Sequence, residues 1–134
     1  METKDITLVS FYQLLGRVFY ATAQADKLIR PEEVSELKQI VKNVWLDVDN
    51  ATDQFNSDAA FQIEIVFDFL LENEIIVEGI INQVKYFKSI HTSLFTKNTI
   101  ELIMKTALGI TSSFAKSNKS EVVFLSQLRL ALEK

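Results

Sequence analysis

Turn-forming residues are almost missing from this chain, which has 3 glycines and 1 proline in 134 residues. Average usage, roughly 7% glycine and 5% proline, would put about 16 there. Chain reversals favour such residues, so the chain makes few of them and its elements are long, which points to helices. The same scarcity argues against glycine loops that cradle phosphates. The length fits one domain, residues 1–134, and 48% apolar residues supply a core. With no cysteine and a single histidine, His91, disulfides, cysteine nucleophiles and thiolate metal clusters are excluded.

Charge narrows the partners. Lys+Arg is 14 and Asp+Glu is 18, a net charge of -4 with a pI near 5.0. Nucleic-acid binding needs a basic face to displace counterions from phosphates. No Lys/Arg run exists, and Lys85, Lys88 and His91 read as a solvated helical stripe. The segment Met1-Glu2-Thr3-Lys4-Asp5 lacks a signal-peptide pattern, and no apolar stretch is long enough to span a bilayer. The chain therefore reads as a cytoplasmic protein that neither binds nucleic acid nor spans a membrane.

Apolar spacing predicts six helices and no sheet. Ile6, Val9, Phe11, Tyr12, Leu15, Val18, Phe19 and Tyr20 recur at steps of three and four over residues 4–25. Pro31 opens a second helix over 31–45, with Glu32 and Glu33 at its positive end and Val34, Leu37, Ile40, Val41, Val44 and Trp45 on its apolar face. After the loop LDVDNATDQFNS comes a helix over 58–73 that is apolar almost all round, which predicts a place in the middle of the bundle. Val77 to Ile90 marks a fourth helix over 75–91. Thr96 caps a fifth over 97–114, and Asn118 with Glu121 has capping-box spacing for a sixth. The aromatic set Phe11, Tyr12, Phe19, Tyr20, Phe61, Phe67, Phe69, Tyr86 and Phe87 reads as core.

A shift of 88 residues lays Leu14-Leu15-Gly16-Arg17 on Leu102-Ile103-Met104-Lys105, Glu33 on Glu121 and Leu37 on Leu125. That echo predicts two helix–turn–helix pairs, related by a pseudo-twofold, flanking two central helices. Asp26 in the first turn falls on Phe114 in the second.

The run from Leu14 to Glu33, LLGRVFYATAQADKLIRPEE, resembles the signature of the TerB family of tellurite-resistance proteins. Ala25-Asp26, Ile29, Pro31 and Glu33 match. Lys27 stands where the family has glycine, and Arg30 where it has a serine cap. The resemblance implies an all-α bundle of about seven short helices with pseudo-twofold organisation. It also implies a cytoplasmic, non-enzymatic protein of the metal- or membrane-stress response. Such a protein would bind divalent cations through acidic residues or assemble with membrane-associated protein partners.

Four acidic residues are the candidate metal ligands: Asp26, Glu33, Glu64 and Asp68. Asp26 and Glu33 flank the first turn, where two carboxylates can share a divalent cation or simply close one helix and cap the next. An EF-hand is excluded there, because its spacing from Asp26 needs oxygen donors at Leu28, Arg30 and Leu37. The loop from Asp47 to Asp58 has acids at calcium-loop positions 1, 3, 7 and 12, but Thr52 replaces the required glycine. Glu64, Asp68 and Glu72 form an i, i+4, i+8 stripe. Either it is a wet edge paired to a neighbour's Lys or Arg, or it lines a groove for a cation or a basic partner segment. His91 reads as dipole compensation at a helix C-terminus. The expected function is a non-enzymatic binding module. Its rivals are a purely structural oligomerisation domain and a metal-dependent hydrolase using Glu64 and Asp68.

Overall fold

The computed structural model describes residues 2–25, 31–45, 59–113 and 119–133. Six α-helices run in chain order among them: α1 (Glu2–Gln24), α2 (Pro31–Trp45), α3 (Ala59–Glu72), α4 (Ile80–Ile90), α5 (Lys97–Ser113) and α6 (Lys119–Glu133). A single 3-10 turn, Thr92–Leu94, joins α4 to α5. No strand occurs among the described residues, so the all-α expectation holds. The two turns that would test the pseudo-twofold, residues 26–30 and 114–118, lie outside the described residues.

The centre of the bundle is α1. Most of its middle is buried, with Phe11, Tyr12, Leu14, Leu15, Val18, Phe19, Tyr20, Ala21 and Ala23 in the core, and only Gln13 and Arg17 partly exposed between them. It packs against α3, α4, α5 and α6, while α2 lies across α3 and α5. Close approach to α3 depends on Gly16. A Cβ there would stand 2.8 Å from the Val66 Cβ and 2.9 Å from the Ile63 carbonyl oxygen.

That arrangement corrects the expectation that residues 58–73 form the central helix. One face of α3 is indeed core, through Ile63, Phe67 and Leu70, but Phe61 is 59% exposed, Ile65 45% and Phe69 58%. Tyr86 is exposed as well, so three of the nine aromatics expected inside are not. Apolar content measures what a helix could bury. The neighbours that reach it decide what it does bury, and glycine and alanine on α1 let helices close around α1 instead.

The fourth helix starts later than its periodicity suggests. α3 ends in a Schellman pattern: the Ile75 N–H donates to the Leu70 carbonyl at 3.0 Å, and the Glu74 N–H to Leu71 at 3.1 Å. Glu74 takes the left-handed position at φ 52, which glycine usually fills. Residues 75–78 then form a non-helical connector, and Gly79, at φ 70, turns the chain into α4. The expected Thr96 cap is present, its hydroxyl accepting the Thr99 N–H at 3.1 Å.

Trp45, Thr106 and Thr22 each find a hydrogen-bond partner inside the bundle. The Trp45 indole N–H donates to the Thr106 hydroxyl at 2.9 Å, which in turn donates to the Leu102 carbonyl at 2.9 Å. Thr22 donates to the Val18 carbonyl at 2.8 Å. Phe11 stacks on Phe87 at 5.9 Å and meets Phe95 edge-on at 5.2 Å, which ties α1 to the segment around the 3-10 turn.

Candidate functional site

The acidic stripe on α3 faces two ways. Asp68 points to α2, where the Lys38 ammonium straddles its carboxylate at 2.9 Å from Oδ1 and 3.0 Å from Oδ2. Glu64, one turn earlier, is half-buried, and its Oε2 is out of water with no hydrogen-bond partner. Glu72 is exposed. The structure thus brings Glu64 and Asp68 to one side of α3 and supplies one of them with a cation from the neighbouring helix.

Asp26 lies outside the described residues, as does the loop 46–58 that carries most of the calcium-like spacing. Glu33 sits in the first turn of α2, and its side chain is outside the described part. Among the described residues no three His, Cys, Asp or Glu side chains converge as a metal site would require. His91 caps the C-terminus of α4, its backbone N–H donating to Phe87 at 2.8 Å and its ring lying 4.6 Å from the Phe87 ring.

A second region was not among the candidates. Where α1 ends, the side chains shrink to Ala21 and Ala25, and neither α4 nor α6 fills the space. The result is an open groove of about 780 Å³. Its walls come from the end of α1, the connector and first turn of α4, and Phe124 and Gln127 of α6. Ile76, Val77, Ile80, Ile81 and Phe124 supply apolar surface, and Gln24, Asn82 and Gln127 the polar groups. Among the described residues no charged side chain lines it.

Gln24 shapes this groove. Its amide NH2 donates to the Ile75 carbonyl at 2.9 Å, and its oxygen accepts the Val77 N–H at 3.1 Å. One side chain thus binds a carbonyl and an N–H of the connector two residues apart, on either side of Ile76. That contact fixes Ile76 as a wall with its side chain 71% exposed. Tyr20, one turn earlier on α1, has its phenol pKa raised above the ordinary 10.0, first by burial and then by the Glu74 carboxylate. Glu74 and Glu78 flank the connector and are exposed. The sequence signal for this groove is Ala21-x-x-x-Ala25, two small residues on one helical face, followed downstream by Gly79. No protein-family model, curated protein or solved structure matches this chain. No helix of the described part is long and apolar enough to cross a membrane.

Proposed function

We propose that this chain is a non-enzymatic binding module, TerB-like in its helical frame, that holds a segment of a protein partner in the groove at the end of α1. The observation that carries this reading is the lining itself. About 780 Å³ of open space is walled by alkyl, aryl and carboxamide groups. Such a surface binds by burying apolar area and offering a few hydrogen bonds. None of the described lining groups exchanges a proton near neutral pH, which supports holding a molecule over transforming it. Ala21, Gln24 and Ala25 of the TerB-like run line this groove, and the class that the resemblance implies is the same: a cytoplasmic stress-response module that works by assembly.

A photo-crosslinker in place of Ile76 tests the reading, with the same group in place of the exposed Lys42 on α2 as the control. The expected result is a discrete protein adduct from position 76 that is absent from position 42 and lost when Ala25→Trp fills the groove. Adducts from both positions, or from neither, would overturn it.

One observation favours a second reading, a divalent cation at the α2–α3 seam. The Glu64 Oε2 is an unpartnered buried oxygen, and such an atom calls for a donor or a cation. A cation there would engage Glu64 and draw Asp68 away from Lys38. Calorimetry with Ca²⁺, Mg²⁺, Mn²⁺ and Zn²⁺ checks it: binding heat abolished by Glu64→Gln supports this reading, and no heat ends it.

A further inference from the structure

We infer that the partner segment this groove takes is a cationic amphipathic helix, its apolar face against Ile76, Ile80 and Phe124 and its basic side chains over Glu74 and Glu78. The inference rests on the groove being the binding site and adds the chemistry of the occupant.

Charge is the first argument. The described lining of the groove is uncharged, but its connector wall carries Glu74 and Glu78 on either side of Ile76 and Val77. Both are exposed, and the ion pairs among described residues, Lys38–Asp68 and Arg129–Glu133, use neither. The Tyr20 pKa is raised first by burial and then by the Glu74 carboxylate, so that charge is felt on α1. An acidic or neutral segment would leave these carboxylates without a counter-charge, and on a chain of net charge -4 an acidic segment would be repelled.

Backbone chemistry is the second. An extended partner would seek unpaired N–H and C=O groups on the connector. Gln24 already occupies the Ile75 carbonyl and the Val77 N–H. A helix satisfies its own backbone and asks of the wall only apolar contact. The groove offers that contact, with carboxamides at Asn82 and Gln127 for a few polar side chains.

Three synthetic 18-residue helical peptides with one leucine face serve as probes, their polar faces being lysine, glutamine or glutamate. Each is titrated into the isotope-labelled full chain. The lysine peptide is expected to bind about tenfold or more tighter than the glutamate one, with affinity falling as salt rises. Its shift changes should map to residues 21–25, 74–82 and 124–127. The double variant Glu74→Gln/Glu78→Gln should weaken the lysine peptide several-fold and flatten its salt dependence, because screening acts on the charges just removed. Binding to Lys38→Gln should be unchanged. Equal binding of all three peptides would overturn the cationic partner while leaving the groove as a binding site. Shift changes scattered over the other acidic faces, or no binding by any peptide, would also overturn it. A crosslinked partner at position 76 together with failure of the lysine peptide would locate the fault in the occupant's chemistry and not in the site.

Discussion

The seam between α2 and α3 and the groove at the end of α1 lie on opposite sides of the same logic. At the seam, a residue that could attract a partner already has one: Lys38 reaches across to Asp68. At the groove, apolar walls enclose about 780 Å³ of open space that no described side chain fills. Helix packing explains both. α1 meets α3 at Gly16, where the backbones come so close that no Cβ fits. Further along α1, Ala21 and Ala25 are also small, but the chain opposite is the connector, and Gln24 holds it at hydrogen-bond distance. Small residues on one helix therefore give a tight seam where a helix faces them, and a cleft where a non-helical connector does.

The largest effect expected from this contrast is at Gly16. Gly16→Ala puts a methyl 2.8 Å from the Val66 Cβ and 2.9 Å from the Ile63 carbonyl. Backbone cannot yield as a flexible side chain can, so overpacking should cost about 1–3 kcal/mol, more than the helix-propensity gain of alanine over glycine returns. Urea denaturation measures it. Wild-type stability for this variant would mean that α1 and α3 are not locked together, and the contrast with the groove would fail.

Next is Gln24→Ala. It removes two hydrogen bonds to the connector, each worth about 0.5–1.5 kcal/mol net. Stability should fall by about 1–2 kcal/mol, and hydrogen exchange at the Val77 amide should accelerate. The control is Gln83→Ala, which removes only the 3.2 Å contact with Arg17. Slow exchange at Val77 in the Gln24 variant would show that the connector holds its place without the amide.

How far the sequence foretells these regions follows from what each is made of. Helix positions come through because the apolar period and the caps are local: Pro31 starts α2 and Thr96 caps α5 as their chemistry requires. The fourth helix is misread at its start because Val77, Ile80 and Ile81 keep a helical period through a connector that is not helical. Glu74 in a left-handed turn gives no compositional sign, since glycine is the usual marker there. The Glu64–Asp68 stripe is visible as spacing, but Lys38, 30 residues away in the chain, is paired to it only by the fold. The groove was missed because it is defined by what does not fill it. Ala21 and Ala25 look like ordinary helix formers until the segment opposite is known.

Glu74 gives a gain instead of a loss. A non-glycine residue in the left-handed region costs about 1 kcal/mol or more, so Glu74→Gly should stabilise the fold by about 1 kcal/mol. It also removes the carboxylate beside Tyr20, and the phenol pKa should drop part of the way back towards 10.0. The native pKa lies above the unfolded one, so this phenol's contribution to stability is complete below pH 10. It is lost as pH rises through the folded value. Ultraviolet titration of the phenolate, with Tyr20→Phe as the blank, reads the shift, and alkaline melting reads the stability. A Glu74→Gly chain with an unchanged Tyr20 titration would show that burial alone raises the pKa.

The smallest effect is expected where the interaction looks strongest on paper. Lys38 and Asp68 sit within 3.0 Å through both carboxylate oxygens, yet their side chains are 35% and 39% exposed. Water and salt reach such a pair, and holding two flexible side chains together costs entropy, so the coupling should be below about 1 kcal/mol. A double-mutant cycle of Lys38→Met and Asp68→Asn isolates it, because each single change also alters solvation. The coupling should shrink further as salt is raised from low ionic strength to molar levels. A coupling of several kcal/mol that salt leaves untouched would mean that the seam is dry. In that case the neighbouring Glu64 Oε2, buried and unpartnered, would belong to an enclosed charge network. The seam, not the groove, would then be the chemically distinctive part of the molecule.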